Sequence, residues 1–171
     1  MGYLIAVEGL DGSRRGLQAA LLCEAIRTYE PVTLFRLPNY EAGVFGRLIH
    51  EVRDNRHGRW SEISPYLSAL PHMLERITWL PKLIESLQEG HVVCDGYTTR
   101  NLAYESAKLP PGEREALIEF IEQAEFDSLR LPRPHLVIWF ASTNGLLETT
   151  HKSGIFKKAL FTVYEQLISR H

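Results

Sequence analysis

The sequence near the amino end reads Tyr3-Leu-Ile-Ala-Val-Glu8 and then Gly9-Leu-Asp-Gly-Ser-Arg-Arg-Gly16. The first run is apolar and rich in strand-forming residues, and the second must be a loop because it holds Gly9 and Gly12. A helical pattern follows from Arg15 to Tyr29. This order of strand, glycine-bearing loop and helix is the context in which phosphate-binding loops occur.

The loop departs from the working phosphate-binding motif, which is Gly, four residues, and then Gly-Lys-Ser/Thr. Gly9 stands at the first position, but Arg14 replaces the second glycine and Arg15 replaces the lysine. Gly16 replaces the residue whose hydroxyl holds Mg²⁺ in the working motif. Taken alone, the stretch is explained as well by a strand-to-helix turn that binds no ligand.

Strand and helix patterns alternate along the rest of the chain. Further apolar runs predict strands at 32–37, 91–95 and 135–140. Apolar residues at helical spacing predict helices at 45–52, 65–87, 101–108, 113–125 and 157–169. Pro71 and Pro81 are expected to interrupt the longest of these helices. The alternation predicts an α/β fold, a single domain over residues 1–171 with a mainly parallel sheet covered by helices on both faces.

Composition excludes several classes of protein. The 171 residues are 44% hydrophobic and 23% charged, which is typical of a globular domain. The net charge of −2 provides no global attraction to nucleic acid or to an anionic membrane. No apolar run approaches the roughly 20 residues that span a bilayer, and no signal peptide is expected. Cys23 and Cys94 are read as reduced core residues of an intracellular, cytoplasmic protein, and the histidines lack zinc-ligand spacing.

Four segments carry a resemblance to a known family: Glu8–Ser13, Phe35–Tyr40, Cys94–Glu105 and Leu131–Phe140. In order and spacing they resemble the thymidylate kinases from residue 3 to about residue 140. The resemblance implies a three-layer, P-loop NTPase-like domain of the nucleoside monophosphate kinase type, here with a central parallel sheet of about four strands. It also implies an activity, the transfer of the γ-phosphoryl group of ATP to dTMP with Mg²⁺.

Several positions that the family uses for ATP and Mg²⁺ are altered. The arginine of the family's D-R-Y motif is Gly96, beside Asp95. Residues 149–154 are too few for the family's arginine-bearing lid, and its fifth strand and last helix are not found. We therefore expect a degenerate and truncated family member that has lost phosphotransfer and serves as a binding or structural subunit, a pseudokinase. No catalytic residue, metal or cofactor is expected, and the vestigial positions are Arg14, Arg15, Asp95 and Gly96.

Two alternatives remain open. The first is an active kinase, using ATP and Mg²⁺, in which Arg14 and Arg15 form a substitute clamp. The second is a nucleotide sensor that binds a monophosphate through Asp95, Arg36 and Arg76 without turnover. If nucleotide binding is retained, the resemblance places it at Gly9, Asp11, Gly12, Ser13, Arg36, His72, Arg76, Tyr104 and Glu105.

Three of these positions carry specific expectations. The resemblance gives Arg76 a place beside the base, with His72 as the stacking residue four positions earlier. A surface arginine on a long helix is an equal alternative for Arg76. Glu105 stands where the family presents a neutral amide, and Arg100 could neutralise it.

Arg14 and Arg15 stand at the predicted start of a helix, where the macrodipole disfavours each cation by about 0.3–1 kcal/mol. Asp11 or Asp95 could offset this cost by pairing with them inside the chain. An acidic partner, a nucleic-acid phosphate or a free anion could do so from outside. We favour the internal pairing because it needs no other molecule.

The protein is expected to associate with itself or with another subunit. A strand edge at Leu136–Phe140 would expose unpaired backbone groups if the family's next strand is lost. The long helix from Pro65 is a second candidate, because family members dimerise through such helices. The cluster from Arg53 to Trp60 (Arg53, Arg56, His57, Arg59 and Trp60) has the composition of a weak nucleic-acid contact, although a solvated loop is favoured. No membrane contact is expected.

Overall fold

The computed structural model describes residues 2–11, 13–141 and 154–170. The strands are β1 (Leu4–Gly9), β2 (Val32–Arg36), β3 (His91–Asp95) and β4 (Leu136–Phe140). The helices are α1 (Arg15–Arg27), α2 (Gly43–Arg53), α3 (Pro65–Glu89), α4 (Thr98–Ser106), α5 (Arg114–Glu122) and α6 (Gly154–Ile168). A π-helical turn, Gln123–Ser128, continues α5.

The four strands form one parallel sheet in the order β2-β3-β1-β4. The register pairs Val7 of β1 with Asp95 of β3, and Glu8 of β1 with Trp139 of β4. The carboxyl ends of β1 and β3 therefore lie side by side, so the loop after β1 meets the end of β3. Crevices at the carboxyl ends of parallel strands are where ligands bind in such sheets.

Helices cover both faces of this sheet. On one face Val7 and Val93 pack against Ala19 and Cys23 of α1. On the other face a second buried cluster joins the sheet to α3 and includes Leu4, Ala6, Val92, Leu83 and Leu87. A third cluster holds α4, α5 and α6 together. The predicted three-layer α/β fold is confirmed, and Cys23 and Cys94 are free and buried.

Helix α3 runs unbroken for 25 residues through Pro71 and Pro81. The predicted interruption at these prolines is wrong. Each proline removes a backbone hydrogen bond and costs about 3 kcal/mol in a helix interior. Met73, Leu83 and Leu87 of this helix are buried in the apolar clusters, and their packing offsets the loss.

The other boundaries differ from the predicted ones by a few residues. Helix α4 begins at Thr98 rather than at Asn101, and α6 begins at Gly154 rather than at Lys157. The segment 149–154, predicted to be too short for a lid, lies outside the described residues except for its last member, Gly154. None of the described helices combines the length and the apolar character that a bilayer span requires.

Candidate functional site

The loop after β1 is closed by the protein's own charged side chains. The guanidinium of Arg15 donates from Nε to Oδ1 of Asp95, at the end of the neighbouring strand β3. Both side chains are largely buried, with exposed fractions of 14% and 10%. The favoured internal pairing is therefore present for Arg15, and Asp95 rather than Asp11 is its partner.

Gly16 shows how tightly this ion pair occupies the loop. A Cβ atom at position 16 would lie 2.8 Å from Oδ2 of Asp95. The serine or threonine of the working motif would therefore require the carboxylate that holds Arg15 to shift. The residues present do not fit a magnesium-bound triphosphate, because the hydroxyl is missing and the cation is already neutralised.

Arg14 has φ 57° and ψ 23°, the left-handed conformation that glycine adopts at little cost. It precedes the first helical residue of α1, and its side chain makes no capping hydrogen bond. A non-glycine residue in this conformation costs about 1–2 kcal/mol. The backbone at position 14 therefore has a conformation that glycine favours, although the residue there is arginine.

Gly96 lies directly after Asp95, where the resemblance expects an arginine. Its φ is +83°, and a Cβ there would lie 2.7 Å from the carbonyl oxygen of Leu37 and 3.4 Å from Nη1 of Arg15. A side chain at this position would disturb both the backbone after β2 and the Arg15–Asp95 pair. Gly96 is thus adapted to the closed arrangement.

Glu8 lies beneath the same loop and has no exposed surface. Its Oε1 accepts a hydrogen bond from the backbone N–H of Tyr97 at 2.8 Å, while Oε2 has no hydrogen-bond partner among the described residues. Burial raises the pKa of this carboxyl to about 7, although nearby Arg15 acts in the opposite direction. Sequence reasoning placed Glu8 in a family motif but did not identify it as a titrating group.

Beside this loop lies a cleft of about 1240 Å³, hereafter the cleft. Its walls come from α2, the α2–α3 connection, α3, α4 and the start of α6. Five of the predicted nucleotide-binding residues line it: Asp11, His72, Arg76, Tyr104 and Glu105. Gly9 and Ser13 belong to the neighbouring loop, Arg36 is exposed outside the cleft, and Gly12 lies outside the described residues.

Arg76 is buried at the inner end of the cleft, so the surface alternative for it is wrong. It makes two hydrogen bonds to Glu125: Nε donates to Oε2 at 3.0 Å, and Nη2 donates to Oε1. Thr98 and Asn101 of α4 also donate to Glu125. Sequence reasoning missed Glu125, because only the fold brings the π-helical turn beneath α3.

His72 lies one turn before Arg76 and is half-buried in the cleft wall. Burial lowers the pKa of its ring, and the positive charges of Arg76, Arg100 and Lys108 lower it further. The ring is therefore neutral near pH 7. Its role in stacking on a base stays a prediction.

Arg100 pairs with Asp11 at 3.0 Å, and its guanidinium lies 5.1 Å from the ring centre of Tyr104. The suggested pairing of Arg100 with Glu105 is therefore wrong. Glu105 instead accepts hydrogen bonds from Ser68 and from Lys108, the latter at 2.9 Å. Burial raises the pKa of Glu105 and lowers that of Lys108. The spacing of three residues within one turn was the available signal for this pair.

Arg53, Arg56 and Arg59 form the outer end of the cleft together with Trp60. The three arginines are exposed, and Trp60 is half-buried. His57 of the same cluster lies outside the cleft lining and pairs with Glu51 at 2.9 Å. The predicted loop is thus observed, and one side of it faces the cleft.

Two surfaces match the predicted places of association. Within the described part of the chain, β4 pairs only with β1, so its other edge has no strand beside it. Helix α3 exposes Leu67, Leu70, Leu74 and Ile84, between 39% and 62% of each side chain. With half-buried Ile77 and exposed Pro81, these residues follow alternating steps of three and four, the spacing of a helix–helix seam.

Comparison with known proteins finds similarity to thymidylate kinases. No protein-family model matches the chain. The thymidylate kinase of Mycobacterium tuberculosis (strain CDC 1551 / Oshkosh) is 29% identical over 134 residues, which cover 77% of this chain and 62% of the relative. A probable thymidylate kinase of Pyrococcus abyssi is 38% identical over 111 residues, which cover 63% of this chain and 53% of the relative. The chain thus spans between half and two thirds of the length of these curated relatives.

Solved structures with the same fold include thymidylate kinases. The enzyme of Candida albicans superimposes with a TM-score of 0.75 at 19% identity, over 97% of this chain and 77% of that one. The enzyme of Ehrlichia chaffeensis gives a TM-score of 0.71 at 21% identity, over 99% and 87%. The chain is therefore similar to thymidylate kinases in sequence over 63% to 77% of its length and in fold over nearly all of it.

Proposed function

We propose that this chain does not transfer a phosphoryl group from ATP to dTMP and acts by binding, as a thymidylate kinase-like structural or regulatory subunit. The observation that carries the proposal is the Arg15–Asp95 pair in the loop after β1. Cys23 and Cys94 are free and buried, as thiols are in proteins of a reducing compartment. We therefore propose that the protein is cytoplasmic.

Phosphoryl transfer is catalysed by positioned positive charge around the phosphate groups. In this chain the charge of Arg15 is already matched by Asp95, and Gly96 offers no cation beside it. Removal of a single charge-stabilising donor lowers an enzyme's rate by about 10²–10³. Several such losses together, although not additive, leave too little stabilisation for turnover.

A coupled assay with ATP, Mg²⁺ and dTMP tests this proposal, with an active thymidylate kinase as the assay control. We expect no turnover above background. A rate of about 1 s⁻¹, the low end for kinases, overturns the proposal and favours the alternative in which Arg14 and Arg15 act as a clamp. The triple reversion Arg14→Gly, Arg15→Lys and Gly16→Ser is expected to stay inactive, because Gly96 would still offer no cation beside the phosphate groups.

A second candidate function is binding of a nucleoside monophosphate without turnover. It is favoured by the cleft, which brings together Asp11, His72, Arg76, Tyr104 and Glu105. Thermal unfolding with dTMP alone separates this function from a purely structural one. A ligand at 100 times its Kd stabilises a protein by about 2.7 kcal/mol, which is a measurable rise in Tm. An unchanged Tm at millimolar dTMP favours the structural role.

As a binding subunit the protein is proposed to pair with a second copy through α3. A two-fold axis across the middle of this helix would set the Leu67 end of one copy against the Ile84 end of the other, so the exposed seam covers itself. The β4 edge is the weaker candidate, because only Leu136 is more than half exposed there. Light scattering of the Leu70→Glu/Leu74→Glu variant should show a monomer, whereas Leu21→Glu on α1 should not change the mass.

A further inference from the structure

Among the described residues that line the outer end of the cleft, three arginines (Arg53, Arg56 and Arg59) stand against one carboxylate, Asp54, which lies 3.5 Å from His50. Five arginines line the cleft, against three carboxylates. At the inner end Arg76 pairs with Glu125 and Arg100 pairs with Asp11. At the outer end Arg53 and Arg56 make no ion pair with any described residue. Arg59 pairs only with exposed Glu62, and such surface pairs are weak.

Aromatic rings accompany these charges. The guanidinium of Arg53 lies 5.5 Å from the ring centre of Tyr40, and its Nη1 donates to the Tyr40 hydroxyl at 3.2 Å. Trp60 meets Phe156 edge to face at 5.3 Å, and the Lys108 ammonium lies 4.2 Å from the centre of the Trp60 ring, so this ring is held in place in the cleft wall. Cations interleaved with fixed aromatic rings are the arrangement that binds single-stranded nucleic acids, through backbone phosphates and stacked bases.

The cleft is larger than a typical binding site for a small molecule. Sites for small molecules usually measure about 300–1,000 Å³, and this cleft measures about 1240 Å³. A mononucleotide at the inner end would leave the outer end open. A concave groove of this kind admits the unpaired bases of a single strand, whereas a duplex presents its bases already paired and stacked.

From this juxtaposition we propose that the outer end of the cleft binds single-stranded nucleic acid, with Arg53 and Arg56 on backbone phosphates and with Trp60 and Tyr40 beside the bases. The overall charge of −2 makes the attraction local to this end of the molecule. The proposal is independent of phosphotransfer, because none of these four residues belongs to the loop after β1. The coupled assay and the binding test below therefore fail or succeed separately.

Fluorescence anisotropy with 5′-fluorescein-labelled dT12 tests the proposal on the full chain. We expect binding at 50 mM NaCl that weakens as salt rises, because each phosphate contact contributes a slope of about −0.7 in log Kobs against log salt for a single strand. The variant Arg53→Gln/Arg56→Gln should bind at least about tenfold more weakly, with a slope shallower by about 1.4. Both side chains are exposed, so the fold should survive the change.

The matched control is Arg27→Gln/Arg130→Gln, which removes the same charge from exposed arginines outside the cleft, at the end of α1 and in the segment before β4. It should keep the affinity of the wild type within about twofold, because both positions lie at the amino ends of the strands, away from the loop after β1 and the cleft beside it. An equal loss in both double variants would overturn the proposal, because the attraction would then be diffuse. So would the absence of binding at 100 μM protein, a 12-bp duplex that binds as tightly as dT12, or displacement of dT12 by an equal phosphate concentration of dTMP.

Discussion

The loop after β1 and the cleft lie next to each other, yet they treat their charged side chains in opposite ways. In the loop, Arg15 donates to Asp95, and a side chain at Gly16 would press against the same carboxylate. In the cleft, the inner arginines are paired, but Arg53 and Arg56 at the outer end make no ion pair with any described residue.

The contrast shows that the two regions depend on different kinds of interaction. The sheet and the helices that frame the cleft depend on apolar packing, which the loop substitutions do not touch. The chemistry of the loop depends on a few charges and one hydroxyl, and single substitutions remove these. A substitution in one of the two regions leaves the other region as a reference.

The largest effect is expected from the buried pair at the inner end of the cleft. Replacing Arg76 by Met leaves Glu125 buried without its cation, which should lower the free energy of unfolding by about 3–5 kcal/mol. Urea unfolding measures the loss. The double variant Arg76→Met/Glu125→Gln should recover at least half of it, since the uncompensated charge is gone. A double variant that is no more stable than Arg76→Met would show that the two side chains are not coupled.

Glu8 gives a pH-dependent effect beneath the loop. Its pKa is about 7 in the folded protein and near 4.5 when unfolded, so the folded chain binds more protons between these values and stability falls as pH rises through them. Glu8→Gln removes this fall. The free energy of unfolding of the variant relative to wild type should rise by about 3 kcal/mol from pH 4.5 to pH 8. Parallel stability curves for the two proteins would contradict the assignment.

The ion pair that closes the loop should contribute a smaller amount. Arg15→Ala is expected to lower the free energy of unfolding by about 2 kcal/mol, the usual value for hydrogen bonds to charged groups, and to leave dT12 binding unchanged. Arg14→Ala serves as the control, because the Arg14 side chain is exposed and makes no capping bond. A variant of Arg15 that melts like wild type but binds dT12 differently would mean that loop and cleft act as one site.

The smallest effect concerns the backbone of the loop. Arg14→Gly relieves the left-handed conformation at φ 57° and removes a cation from the start of α1, so a gain of about 1 kcal/mol is expected. Arg14→Ala keeps the conformational cost and should gain less. Equal stability of the two variants in urea unfolding would show that the conformation carries no cost.

Some of the site was open to sequence reasoning. The order of glycine loop and helix start, together with helix electrostatics, predicted that Asp11 or Asp95 pairs with Arg14 and Arg15, and the Arg15–Asp95 pair is one of these combinations. The partners of Arg76 and Arg100 were not predictable in the same way. Glu125 is 49 residues from Arg76, and Asp11 is 89 residues from Arg100. Distances of that kind in the chain carry no local pattern.

The sequence by itself determined the layered fold, because apolar periodicity and glycine positions act within a few residues of each other. It also determined where this chain departs from the phosphate-binding motif, because Arg14 and Gly16 can be read from the sequence without the fold. Only the tertiary structure decided that α3 continues through Pro71 and Pro81, and that Arg76 is buried rather than exposed. Both outcomes depend on packing between distant elements, whose contact energy exceeds the local preferences of a proline or an arginine.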